Sequence, residues 1–161
     1  MFYSEFDSLL PAKDREVNKP NGGLLPNELN GEIDEMNKWV YDTINNGVYR
    51  AGLATTQQAY EEAVVTLFKS LDRVEDILSE SEGPYLFGKN LTEADIRLYP
   101  TIARFDVAYF TLFMCNLHML REHYPKIQKW YQNLYWDEGE TKGAFRKSTD
   151  FNAVSGMIRR Q

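Results

Sequence analysis

A Thr-x-x-Asp box at Thr92–Asp95, set directly before an apolar-periodic run, fixes where one helix of this chain must begin. The first backbone N–H groups of a helix have no partner inside it. Thr92 and Asp95 can satisfy each other's: the cap side chain serves the residue three positions on, and the carboxylate reaches back. Asp stands where Glu or Gln is usual. Leu91 ahead of the cap and Ile96 four positions into the helix add a hydrophobic staple. Thr92 and Asp95 are therefore expected to be structural. On its own the box establishes an ordinary capped helix and nothing about activity.

The rest of the chain reads as helices of one bundle. Phe2, Phe6, Leu9 and Leu10 have a helical spacing, and Pro11 to Pro26, with Pro20-Asn21-Gly22-Gly23, reads as a long loop. Ile33, Met36, Asn37, Val40, Tyr41 and Ile44 recur at three and four residues. Asn46-Gly47 then supplies a stop, with Gly47 the structural residue that tolerates positive φ. The longest helix runs from Thr55 or Thr56 to about Ser79. Tyr60, Ala63, Val64, Leu67, Leu71, Val74 and Leu78 form its apolar stripe, and Glu61, Lys69, Asp72 and Glu75 lie away from it. Gly83-Pro84 ends it. In the Thr92-capped helix, Pro100 is expected to kink or split the pattern. Val107 to Leu120 reads as a buried core helix. Pro125 opens a helix to Trp136 that buries Ile127, Trp130, Tyr131 and Leu134, and a short helix is expected near Ala144 to Lys147. No strand alternation is present, so the fold class is all-α.

Composition narrows the function. With 161 residues, 43% hydrophobic and 26% charged, the chain is of a size for one domain with a sizeable core. A net charge of -6 argues against nucleic acid as a partner, since phosphate binding needs clustered Lys and Arg. The apolar runs are too short to span a membrane. The beginning of the chain has no signal-peptide pattern, and its one cysteine forms neither a disulfide pair nor a zinc cluster. A cytoplasmic, reducing compartment is the expectation.

Leu91-Thr92-Glu93-Ala94-Asp95-Ile96-Arg97-Leu98, shortly after Tyr85-Leu86-Phe87-Gly88, resembles the helical C-terminal domain of the glutathione S-transferases. Asn45-Asn46-Gly47-Val48-Tyr49-Arg50-Ala51-Gly52 upstream and Arg104-Phe105-Asp106 downstream make it similar to the glutathionyl-hydroquinone reductases, the xi-class, omega-like branch. The resemblance runs from about Met1 to about Phe151. It implies a glutathione S-transferase C-terminal-like helical bundle over residues 28–150. Residues 1–10 then correspond to the end of the last helix of a thioredoxin-like domain, 11–27 to a linker loop, and 151–161 to a diverged tail. Nothing in the chain resembles that thioredoxin-like domain itself. An internal methionine read as a start, a trimmed sequence and a stand-alone helical protein are the alternatives this leaves.

Members of that branch reduce S-glutathionyl-hydroquinones. A cysteine thiolate attacks the glutathione sulfur, the hydroquinone leaves, and a second glutathione resolves the mixed disulfide. The resemblance implies that this chain supplies the acceptor-binding half of such a transferase. Glutathione would be the co-substrate, held mainly by the thioredoxin-like domain that carries the nucleophilic cysteine, so no catalytic residue is expected in this chain. The acceptor would be a quinone or hydroquinone-type aromatic small molecule. Carried over by motif, Tyr49 of Asn-Asn-Gly-Val-Tyr and Tyr109 of Arg-Phe-Asp-Val-Ala-Tyr bind it, because a phenol stays neutral near pH 7 and can donate while its ring packs on the substrate. The family more often has Pro-Val-Tyr where this chain has Val-Ala-Tyr. A further family tyrosine near the C-terminus has no counterpart in Asp150 to Ile158. The alternative reading is a non-catalytic docking module of the same fold.

Other residues have plainer readings. A tyrosine just past a helix end commonly packs on the core, which competes with the substrate role for Tyr49. Arg50 has two readings, a partner for an anionic glutathione carboxylate and a cation complementing a helix end, of which the second is favoured. Cys115, in an apolar run without Lys or Arg beside it, reads as buried and inert. His118 and His123, on different faces of a helix, make no metal site, and no metal is expected. Arg97, Arg104 and Asp106 are expected to form ion pairs, one of them buried with Asp95 or Asp106. Without a covering thioredoxin-like domain, Phe2, Phe6, Trp39 and Tyr49 should form an apolar patch. That patch would drive self-association, as in a homodimer, or hold aromatic ligands.

Overall fold

The structure, a computed structural model, describes residues 6–151. Helix α1 spans Asn30–Val40 and passes through a π-helical turn, Tyr41–Asn45, into α2, Gly47–Gly52. The long α3 covers Gln57–Glu80, and the capped α4 covers Glu93–Arg104. A second π turn, Phe105–Tyr109, leads to the short α5, Phe110–Leu112. Helices α6, Leu120–His123, α7, Pro125–Trp136, and α8, Ala144–Ser148, complete the bundle. No β-strand occurs among the described residues, so the all-α class stands. One isolated bridge joins Tyr85 and Gly88.

Helix α3 forms one wall. Its 24 residues extend about 36 Å at the α-helical rise of about 1.5 Å per residue. Thr56 caps it by accepting from the Ala59 N–H at 3.2 Å. Val64, Leu67, Phe68, Leu71, Val74 and Leu78 are buried along one face. Phe68, absent from the stripe read in sequence, meets the fully buried Phe105 edge-on at 6.0 Å. Asp72 and Glu75 do more than face solvent. Asp72 accepts the Tyr124 hydroxyl at 2.9 Å, and Glu75 accepts the N–H groups of Lys126 and Ile127 at 2.8 and 2.9 Å. Glu75 thereby caps the start of α7, where Pro125 has no N–H to satisfy.

Asp95 joins three parts of the chain. It accepts the Thr92 N–H and hydroxyl, both at 2.9 Å, the Leu86 N–H at 3.0 Å and the Trp130 indole N–H at 2.8 Å. The capping box therefore forms and also pins α7. The expected buried ion pair does not: Asp95 is fully buried with neutral donors alone. Arg97 instead pairs with Glu93 one turn back at 2.6 Å, and Arg104 donates to the Pro100 carbonyl at 3.0 Å. Asp106 accepts the N–H groups of Leu120 and Arg121 at 2.8 and 3.1 Å, capping α6.

Five further expectations change. Asn46 and Gly47 do not stop a helix: Asn46 has φ -85°, and the chain continues helically into α2. Gly47 is not needed for positive φ; it is buried against Leu67. Pro100 does not split the helix: α4 runs through it from Glu93 to Arg104, and the break in α-helical pattern comes at the π turn after Arg104. The apolar run from Val107 to Leu120 is not one helix. The α-helical part ends at Leu112, and Met114, at φ 57°, turns the chain back. His118 and His123 come together, ring centres 4.4 Å apart, because His118 precedes α6 instead of sharing its helix. Among the described residues no three His, Cys, Asp or Glu side chains gather to hold a metal.

The segment before α1 is a chain of short 3-10 turns, beginning with Asp7–Leu9 where a helix was expected. Residues 1–5, including Phe2, lie outside the described residues. The loop is anchored, which its composition did not reveal. The Leu24 N–H donates to Glu16, and the Leu24 carbonyl accepts from the Glu93 N–H at 2.8 Å, at the start of α4.

Candidate functional site

Tyr49 and Tyr109 meet. Their hydroxyls are 3.2 Å apart, and their rings stand edge to face at 5.8 Å. Tyr49 lies in the first turns of α2 and is 46% exposed, while Tyr109, the last residue of the second π turn, is 7% exposed. Tyr49 is thus neither past a helix end nor packed away in the core. Phe113 closes the cluster, 5.3 Å from each ring. Gly52 makes room for it: a Cβ there would stand 2.5 Å from Phe113 Cγ. The sequence motif around Tyr49 contains this glycine, but its reason is a contact with Phe113, far along the chain.

The pair opens on a cavity of about 800 Å³, with Tyr99, Arg104 and Thr149 among its other walls. The Tyr99 hydroxyl meets the Thr149 hydroxyl at 3.0 Å, fastening the segment after α8 over the cavity. Neither Tyr99 nor Phe113 was singled out in sequence, because an aromatic on a helical stripe looks the same whether it fills a core or walls a cavity. Of the tail expected over 151–161, the residues from Asn152 on lie outside the described residues; Asp150 before it lines the cavity.

Burial pushes the Tyr109 hydroxyl far above the ordinary phenol value of 10.0, and its contact with Tyr49 adds to this, while the Arg104 guanidinium pulls the other way. Tyr109 therefore stays protonated through any physiological pH and is a standing donor or acceptor. Cys115 is of another kind. It is fully buried, and burial pushes its thiol up to about 12. Its sulfur faces the Val48 carbonyl at 3.9 Å. No thiolate forms there near neutrality, and no cation among the described residues favours one.

A helical bundle with a capped central helix and an aromatic cavity walled by α2, α4 and the second π turn is the arrangement expected of the C-terminal domain of a glutathione S-transferase. Residues 57–133 match the family Glutathione S-transferase, C-terminal domain, and the chain belongs to that superfamily. Its relatives place it nearer the xi and omega-like members. It is 44% identical to Glutathione S-transferase omega-like 2 of Schizosaccharomyces pombe, over 96% of this chain and 47% of that protein. It is 49% identical to the glutathionyl-hydroquinone reductase YqjG of Escherichia coli, over 76% of this chain and 34% of that protein. The xi glutathione S-transferase structure from Phanerochaete chrysosporium superposes with a TM-score of 0.81 at 47% identity, covering 96% of this chain and 46% of that one. The glutathione-bound structure of YqjG gives 0.77 at 41% identity, covering 96% and 45%. The chain spans about half the length, or less, of the relatives it matches.

Proposed function

We propose that this chain forms the acceptor-binding half of a glutathione-dependent thiol transferase that reduces S-glutathionyl-hydroquinones. The observation that carries the reading is the hydroxyl pair of Tyr49 and Tyr109, 3.2 Å apart on the wall of an aromatic cavity. A hydroquinone offers a flat ring and phenolic oxygens. The rings of Tyr49, Tyr109 and Phe113 suit the first, and two neutral phenols suit the second. The pair can share one proton between its oxygens and still donate the other to a ligand.

In the reaction, a thiolate attacks the sulfur of the bound glutathionyl group. The bond between that sulfur and the ring carbon breaks, its electron pair stays with the carbon, and the carbon takes up a proton. The mixed disulfide is then cleared by a second glutathione. The tyrosines' part is to hold the ring in line with the sulfur and to hydrogen-bond its oxygen while charge develops on the ring. The thiolate and the glutathione site would come from a thioredoxin-like domain packed beside the cavity. The name of the Escherichia coli relative, glutathionyl-hydroquinone reductase, supports the substrate class, and those of the fungal relatives support glutathione transfer alone.

The test joins this chain to the N-terminal half of the Schizosaccharomyces pombe relative and follows release of hydroquinone from an S-glutathionyl-hydroquinone. Turnover is expected, with kcat for Tyr49→Phe and for Tyr109→Phe reduced at least tenfold. Turnover that ignores both substitutions would remove the tyrosine pair from the mechanism. A folded fusion without turnover would favour the docking-module alternative.

A further inference from the structure

Asn45 closes the first π turn and sits one turn ahead of Tyr49. Both ends of its amide are used on α4. Its Oδ1 accepts the Thr101 hydroxyl at 3.0 Å, and its Nδ2 donates to the Arg97 carbonyl at 3.2 Å. Thr101 is itself buried. Among the described residues, these two bonds and the Tyr49–Tyr109 contact are the side-chain hydrogen bonds that link 41–52 to 93–112.

The π turn makes this bridge consequential. A π turn carries one residue more than the α-helix it interrupts, so all that follows is rotated by about 100° about the axis. Tyr49 points at Tyr109 in the register that the turn Tyr41–Asn45 creates. Recoiling that turn to α geometry would swing Tyr49 away from its partner. π turns are rare and need tertiary contacts to persist. The bridge supplies one at the turn's final residue, tied to the same helix that runs on into Tyr109.

We propose that Asn45 is a positioning residue for the tyrosine pair: its two-ended bridge to Arg97 and Thr101 holds the π turn in register and so sets the spacing of the two hydroxyls. The inference rests on the acceptor reading only for what the spacing is used for.

The test uses this chain labelled with ¹³C at tyrosine Cζ, a reporter of phenol hydrogen bonding, and follows 4-fluorophenol binding by ¹⁹F NMR. Asn45→Leu removes both bonds, and Thr101→Val removes one while keeping the side chain's shape. Thr92→Ala serves as a control that lowers stability without touching the bridge. Asn45→Leu is expected to shift the Tyr49 and Tyr109 resonances and to weaken 4-fluorophenol binding by about tenfold, the effect of about one hydrogen bond. Thr101→Val should move both readouts the same way by less, and Thr92→Ala should move neither. Adding Tyr49→Phe to Asn45→Leu should cost nothing further in affinity. Tyrosine resonances and affinities like the parent's in both bridge variants would overturn the proposal, as would losses from Asn45→Leu and Tyr49→Phe that multiply. Should Asn45→Leu fail to fold, Thr101→Val decides by the same criteria. A parent chain that does not bind 4-fluorophenol would count against the acceptor reading, and the tyrosine resonances would still decide the role of Asn45.

Discussion

Asp95 and Cys115 illustrate two ways in which a buried ionisable side chain is tolerated. Asp95 loses its hydration and gains four donors from three places in the chain, so burial pushes its carboxyl up while the hydrogen bonds pull it down. Removing the cap alone should cost what a helix N-cap costs: Thr92→Ala is expected to destabilise by about 1 kcal/mol. Asp95→Ala should cost more, because the Leu86 and Trp130 donors are also left buried without a partner. Denaturant midpoints measure both, and an equal loss would mean that the link to α7 contributes nothing. The box was legible in sequence because it is local. Its tie to Trp130 was not, since nothing near Asp95 announces a partner thirty-five residues on. Cys115 has no such donors and keeps its proton instead. Its thiol is raised from the ordinary 9.0 to about 12, so the folded state favours the neutral form. The stability this contributes is complete below pH 9 and is lost as pH rises toward 12. The alkaline fall in stability over that window should be shallower in Cys115→Ala than in the parent. At pH 8 iodoacetamide should leave native Cys115 unmodified and label it on unfolding; fast labelling of the folded protein would contradict its burial.

At the scale of elements, the long α3, α7 and the short α8 lie within a residue or two of where periodicity and capping put them. Each is held by signals inside its own sequence: Thr56 and a clean stripe, Pro125 at a first turn, or a short helical run. The two π turns escaped because each adds one residue to a pattern of three and four, which in sequence looks like slight irregularity. Asn46-Gly47 resembled a stop for the same reason: a glycine that permits positive φ and one that permits close packing are written identically. Gly52 is the second kind. A methyl group at this position would drive Phe113 off the tyrosine pair, since its Cβ would fall 2.5 Å from the ring. We expect Gly52→Ala to leave helix content unchanged by far-UV circular dichroism while weakening phenol binding at least fivefold. Unchanged binding would mean that Phe113 finds another place beside the two rings, and that the cluster tolerates its movement.

At the scale of the molecule, the cavity and the chemistry proposed for it need different things. The cavity needs packing, which the described residues supply: Tyr109 is buried, Tyr49 is half-exposed, and α2, α4 and the second π turn hold them in place. Thiol transfer needs a thiolate near neutral pH. The only cysteine in the sequence is Cys115, fully buried, with its thiol raised to about 12 and the Val48 carbonyl in front of it. At pH 7.5 its thiolate fraction would be of the order of one in ten thousand or below. No helix among the described residues is long and apolar enough to cross a membrane. We therefore expect the 161-residue chain by itself to release no hydroquinone from S-glutathionyl-hydroquinones, while still binding the free phenol. Cys115→Ser should behave as the parent does in both measurements. Turnover by the parent that disappears in Cys115→Ser would make Cys115 the nucleophile, which requires a state of the bundle in which the chain after α5 opens and exposes the sulfur.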